Sequence, residues 1–362
     1  MTLEEIRAEL PVLAEKAYLN AGTFGPLPRR TAEVHRAWIE RALGEGRAGR
    51  AFFEQVIGDR ASLKDALGAL IGAPAESVAL TTSTSEGCNI VAAGLRLGPG
   101  DEVVTTDSEH PGLLSPLATW GADVRVAAIS QAPAEDALAL LEEQITERTK
   151  LVAISHVTWT TGQVLPVAEL AGRDFHLLVD GAQSAGAIPV DVTALGCDYF
   201  TVSGQKWLLG PDTTGGLYVR PDRLDDLQMA SASYLSWADP IALQPAPTAQ
   251  RFESIWTSAG SVAGLLASLA FADEAGEERF AHARAMAEHA RELVAARGLE
   301  VVSEADQATL VSFVPSGPAD ELVARLYEQG VVVRDLPQTG WVRASCGFWT
   351  SEDDLARLAD GL

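Results

Sequence analysis

The chain has 362 residues, 47% of them hydrophobic and 21% charged, a length that suits two domains around a large buried core. Its 50 acidic against 27 basic residues leave a net charge of −23, a surface that repels nucleic acid and anionic membranes and argues against both as partners. No run approaches the ~18 apolar residues of a membrane span, and the opening MTLEEIRAEL has neither the basic start nor the apolar core of a leader. That opening reads as an acidic helix. Tyr18-Leu-Asn-Ala-Gly-Thr-Phe-Gly-Pro-Leu-Pro28 then breaks into glycines and prolines, the composition of an ordered loop.

Residues 29–42 and 52–71 carry helical apolar spacing and are joined by a glycine-rich link at 44–49. A short strand at 77–80 runs into Thr81-Thr-Ser-Thr-Ser-Glu-Gly-Cys-Asn89 and an apolar helix at 90–95. Small hydroxyl residues at a strand-to-helix turn leave backbone N–H groups free, a ready site for an anion. A further strand starts at 102–104 and ends in polar residues that include Glu109-His110, and 151–155 reads as a parallel-type strand followed by His156-Val-Thr-Trp-Thr-Thr-Gly-Gln163.

The densest chemistry lies between 177 and 220. One apolar run, 176–179, ends in Asp180-Gly-Ala-Gln183; a second, 199–202, ends in Ser203-Gly-Gln-Lys206. Two buried strands of this kind deliver a carboxylate, an amide, a hydroxyl and a lysine to one sheet edge. That set suits pyridoxal phosphate (PLP), with the lysine as its covalent anchor and the carboxylate against its protonated ring nitrogen. Beyond 220 the pattern loosens through Pro221, Pro240, Pro245 and Pro247. Arg251-Phe-Glu and a long helix at 262–271 come next, then helix, strand, helix, strand, helix at 280–297, 308–314, 319–329, 341–345 and 352–362.

Asp180-Gly-Ala-Gln183, Ser203-Gly-Gln-Lys206 and Gly215-Gly216-Leu-Tyr-Val219, in that order, resemble the class V aminotransferase family, the cysteine desulfurase-like PLP enzymes. The resemblance implies an α/β chain of the PLP-dependent transferase fold type I. Its large PLP-binding domain, with a mostly parallel central sheet, is expected over 15–245, and its smaller α+β domain over 1–14 and 246–362. It implies that Lys206 and His110 are catalytic, with the His110 ring stacked on the cofactor. Thr84, Ser85, Ser203 and Gln205 fall at the phosphate end, Asp180 at the ring nitrogen and Gln183 at the phenolic oxygen. Arg343 matches the carboxylate clamp, and Asn20, Ala21, Gly22 and Thr23 match the loop nearest the substrate. Thr257, after Arg251-Phe-Glu, matches a residue that reaches the phosphate of a neighbouring subunit, which implies a homodimer with shared active sites.

Trp159 stands where desulfurases have asparagine, and residues 156–166 look more like the cysteine/cystine lyase and epimerase-like branch. Desulfurases also carry a nucleophilic cysteine on a loop before the clamp, and the corresponding run here, 333–340, has none. Cys346 follows Arg343 by three strand positions and so points to the other face. Cys88, Cys197 and Cys346 form no C-x-x-C pair, and the six histidines form no metal-binding cluster, which together argue for a reducing, cytoplasmic setting without disulfides or zinc. The reaction expected is cleavage of a C–S bond by β-elimination from cysteine, cystine or an S-substituted cysteine. An aminotransferase or an isopenicillin N epimerase-like enzyme is the alternative within the same chemistry. A silent PLP-binding protein is disfavoured by the intact Lys206, His110 and Arg343.

Overall fold

A computed structural model describes the whole chain, residues 1–362. In chain order its strands are β1 (Ala17–Tyr18), β2 (Val78–Thr81), β3 (Glu102–Thr106), β4 (Asp123–Ala127), β5 (Thr149–Ser155), β6 (His176–Asp180) and β7 (Tyr199–Ser203). They continue as β8 (Gly215–Val219), β9 (Trp237–Asp239), β10 (Gln244–Pro245), β11 (Leu310–Phe313), β12 (Val331–Val332), β13 (Arg334–Asp335) and β14 (Val342–Ser345). The helices are α1 (Leu3–Ala8), α2 (Arg29–Gly44), α3 (Arg50–Ile71), α4 (Thr84–Gly94), α5 (Pro111–Thr119), α6 (Ala137–Glu142) and α7 (Val192–Leu195), then α8 (Ala259–Ala275), α9 (Glu278–Ala296), α10 (Ala319–Glu328) and α11 (Glu352–Gly361).

Seven strands form the central sheet in the order β2-β8-β7-β6-β5-β3-β4. All neighbours are parallel except β8, which runs antiparallel to β7 and β2. The sheet is buried on both faces because its strands are apolar at both phases of their alternation. Leu151, Ala153, Leu178 and Tyr199 enter one core, whereas Val152, Ile154, Val179 and Phe200 enter the other. Parallel strands with helices on both faces place ligands beyond their carboxyl ends, and those ends carry Ser155, Asp180 and Ser203.

A second unit packs the antiparallel sheet β11-β14-β13 against α9, α10 and α11. Its limits are set by strand pairing and by membership of a core. β1 pairs in parallel with β12, and Ala17 and Leu19 belong to the small-unit core, so the N-terminal contribution runs past residue 14. α8 packs on α2 and α3, so the chain stays with the large unit well beyond 245. Several elements were hidden in the sequence, α5 and β4 among them. α5 carries Pro116 in its interior, which reads as a helix breaker, and β4 is the half-exposed sheet edge.

Candidate active site

β6 ends at Asp180, and β7 turns from Ser203 through Gly204 and Gln205 to Lys206. Asp180 is buried. Its Oδ1 accepts the Ala182 N–H at 2.9 Å and the Thr201 hydroxyl at 3.4 Å, and burial raises its proton affinity while the Lys206 charge lowers it. Lys206 is only part-buried, yet burial pulls its ammonium down to about 8, against the attraction of Asp180. An amine poised near neutral pH suits proton abstraction. The Ser203 hydroxyl donates to Gln205 Oε1 at 2.9 Å, holding the two side chains together beside the lysine.

α4 begins at Thr84, and the Ser83 hydroxyl caps it by accepting the Glu86 N–H at 3.2 Å. Thr84 and Ser85 occupy the first two helical positions, where backbone N–H groups have no intrahelical acceptor and are available to an anion. Gly112 lies so close that a Cβ there would stand 2.4 Å from Ser85 Oγ, which seats the His110 segment directly on this turn.

His110 caps α5, its Nδ1 accepting the Gly112 N–H at 3.0 Å. Burial, reinforced by the charges of Lys206, Arg334 and Arg343, pulls the imidazole down to about 4. The ring is therefore neutral, with its hydrogen on Nε2. Behind it, buried Glu109 accepts the Ser155 N–H at 3.0 Å, the Ser155 hydroxyl and the Thr106 hydroxyl at 2.9 Å; burial pushes its carboxyl up to about 7. These bonds tie the ends of β3 and β5 together and fix where His110 begins. The Trp159 ring meets the His110 ring edge-on, at 5.2 Å and 88°.

Arg343 is fully buried on β14. Its Nη1 donates to the Trp159 carbonyl and its Nη2 to Thr23 Oγ1 at 3.4 Å, while its Nε, Ser345 Oγ and Trp159 Nε1 are buried without partners. Burial, and then the neighbouring Arg334 charge, pull the guanidinium down to about 9, which leaves it cationic at neutral pH. The loop of Asn20, buried Ala21 and buried Gly22 lies against this group: a Cβ on Gly22 would stand 2.6 Å from Arg343 Nη2. Gln183 lashes the loop to the sheet edge. Its Nε2 donates to the Gly22 carbonyl and its Oε1 accepts from Trp207 Nε1, both at 2.9 Å, leaving one amide N–H for a bound group.

Lys206, Asp180, the α4 end, His110, Gln183 and Arg343 are thus linked through shared contacts. Thr257 is buried beside exposed Ile255 and Trp256, and its side chain makes no hydrogen bond to that cluster within the chain. The donor set fits PLP: an amine for its aldehyde, a buried carboxylate for its ring nitrogen and free helix N–H groups for its phosphate. The profile "Aminotransferase class-V" matches residues 19–358.

The chain belongs to the class V aminotransferase family.

Among relatives, isopenicillin N epimerase of Streptomyces clavuligerus is 30% identical, the match spanning 99% of this chain and 97% of that protein. A probable cysteine desulfurase of Methanothermobacter thermautotrophicus is 29% identical over 100% of this chain and 98% of its own. The cystine C-S lyase C-DES, solved with its product cysteine persulfide, superposes with a TM-score of 0.91 at 31% identity, covering 97% of this chain and 98% of that one. A C-DES variant was also solved with glycine covalently linked to its PLP cofactor. As a class V aminotransferase family member, this chain is a PLP-dependent enzyme with an α/β, mostly parallel central sheet.

Within this class V fold, one residue of the site, Arg334, escaped the sequence reading. Arg334 lies directly opposite Arg343 in the β13–β14 ladder, and directly opposed residues share a sheet face. Its charge bears on Lys206 and His110, and neither guanidinium forms an ion pair within the chain. Thr23 touches both arginines. Antiparallel pairing of 334 with 343 was the signal that could have found Arg334, whereas Thr23 lies in the loop expected nearest the substrate.

Arg343→Lys should raise KM about tenfold or more with a smaller fall in kcat, since a point charge cannot replace a bidentate fork. Steady-state kinetics decide this, and a fall in kcat at unchanged KM would remove Arg343 from the clamp role.

Proposed function

We propose that this enzyme cleaves the C–S bond of cystine, or of a related S-substituted cysteine, by β-elimination. Cystine would yield pyruvate, ammonia and cysteine persulfide. The observation that carries the reading is the pair Arg334 and Arg343 on one face beside Lys206, without counter-ions in the chain. Such a pair suits a substrate with a carboxylate at each end. The likeness to C-DES, which was solved with cysteine persulfide, supports the same substrate class.

Bound PLP supplies the electron sink for the pair left when the α-proton departs. Lys206 takes that proton at Nζ. Asp180 keeps the ring nitrogen protonated, and Arg343 fixes the α-carboxylate so that the Cα–H bond stands toward the lysine. The neutral His110 offers an Nε2–H to the site and excludes water from one face. Thr84, Ser85, Ser203, Gln205 and Gln183 hold the cofactor, while Trp159 walls the substrate side with Asn20, Ala21 and Gly22.

A thiolate or persulfide leaves readily, so no protein thiol is needed. Cys88 and Cys197 are buried, and Cys346 lies in the small-unit core, on the side of β14 away from Arg343 and Ser345. The triple change Cys88→Ser, Cys197→Ser, Cys346→Ser should therefore keep most of the activity, apart from a stability loss of about 1–3 kcal/mol for each unsatisfied hydroxyl. A folded triple variant without turnover would reject the reading.

The epimerase relative favours a second reading, α-proton removal and return without elimination. Exchange of the α-proton into solvent with no pyruvate formed would select it. We further propose a homodimer in a cytoplasmic setting. A groove of ≈ 940 Å³ away from Lys206 is lined by Trp38, Phe52, Phe53, Tyr234 and Trp256, an apolar surface that a second copy would cover and that leads to Thr257.

A further inference from the structure

We propose that Thr23 is a positioning residue that sets the spacing of Arg334 and Arg343, and through it selects substrates by the separation of their two carboxylates. The inference rests on the reading of the arginine pair given above. Thr23 Oγ1 lies 3.0 Å from Arg334 Nη1, 3.4 Å from Arg343 Nη2 and 2.8 Å from Asn20 Oδ1. Guanidinium groups only donate, so the hydroxyl oxygen accepts from both. Its single hydrogen must then go to Asn20 Oδ1, which fixes the orientation of that amide. One neutral oxygen, with its hydrogen-bonding capacity filled, bridges two like charges that would otherwise move apart.

The two arginines depend on this bridge unequally. Arg343 is fully buried and also held by the Trp159 carbonyl. Arg334 is half-buried, and its side chain makes its one hydrogen bond to Thr23. Loss of the hydroxyl therefore releases Arg334 toward solvent and leaves Arg343 in place. The loop backbone does not depend on the hydroxyl. Thr23 N–H donates to the Asn20 carbonyl at 3.0 Å, Gly25 N–H to the Gln205 carbonyl at 2.8 Å, and Gln183 holds the Gly22 carbonyl. Thr23→Val, equal in shape, removes the bridge without freeing the loop.

The test compares PLP-loaded wild type, Thr23→Val and Thr23→Ser in two assays. The first is turnover of L-cystine, with a carboxylate at each end, and of S-methyl-L-cysteine, with one. The second is the melting-temperature shift given by the non-reacting dicarboxylate adipate against that given by butyrate. Thr23→Val should raise KM for cystine about tenfold, the factor of one charge-assisted hydrogen bond. Its kcat for cystine, and both constants for S-methyl-L-cysteine, should stay within about threefold of wild type. The adipate shift should shrink in Thr23→Val and return in Thr23→Ser, with butyrate unaffected. An unchanged cystine KM in Thr23→Val, an equal change for both substrates, or no recovery in Thr23→Ser overturns the proposal while leaving the lyase reading intact. If wild type turns over neither substrate, the lyase reading fails and the adipate assay alone decides: an adipate shift lost in valine and restored in serine upholds the bridge, and its absence in wild type overturns it.

Discussion

Lys206→Ala abolishes steady turnover, a fall of at least about 10²–10⁴-fold, because the base and the covalent anchor are lost together. The expected companion result comes from wild type. Borohydride reduction followed by peptide mapping places the cofactor on the peptide that contains Lys206. The choice is narrow, since the chain has only the lysines 16, 64, 150 and 206. Lys16 sits over the Tyr327 ring, Lys64 pairs with Glu253 and Lys150 with Asp101. Lys206 lies beside buried Asp180 at the ends of the parallel strands, with burial lowering its proton affinity. Cofactor recovered on any other lysine would contradict the assignment of the site.

Asp180→Asn should lower kcat by about 10³-fold, a loss of the size seen when one preorganised electrostatic contact is removed from a dry site. The amide keeps the shape and still accepts from Ala182 N–H. It lacks the charge that keeps a pyridine nitrogen protonated, so the electron sink weakens while binding persists. Kinetics at saturating PLP, with bound cofactor measured by absorbance, separate the two effects. A fall of only a few-fold with full cofactor content would mean that another group protonates the ring.

What the sequence made legible follows from how locally each feature is encoded. The ends of β6 and β7 announce themselves because apolar runs stop at Asp180 and Ser203, and sheet geometry alone brings those ends together. The α4 turn is legible for the same reason: hydroxyl residues between a strand and a helix mark a free N-terminus. Arg334 is not, because the face it presents depends on its pairing with Arg343, which no local pattern announces. Thr23 belongs to the loop expected nearest the substrate, but its bonds to Arg334 and Arg343 join residues more than 300 positions apart, which no local pattern shows. Gln183 matches a cofactor position in its motif, and half of its hydrogen-bonding capacity also holds Gly22 and Trp207, a use set by tertiary packing. Unit boundaries are poorly legible in sequence because proline-rich stretches mark loops, whereas membership of a core is decided by β1 pairing with β12 and by α8 lying on α2 and α3.

The central claim is elimination from a two-carboxylate sulfur substrate without a protein thiol. The most direct measurement is a product balance on purified, PLP-loaded enzyme given L-cystine, with pyruvate, ammonia, alanine and persulfide sulfur quantified in the same reaction. The account predicts equimolar pyruvate, ammonia and cysteine persulfide with no alanine. Alanine as the principal product, or recovery of cystine altered only at its α-carbon, would contradict it.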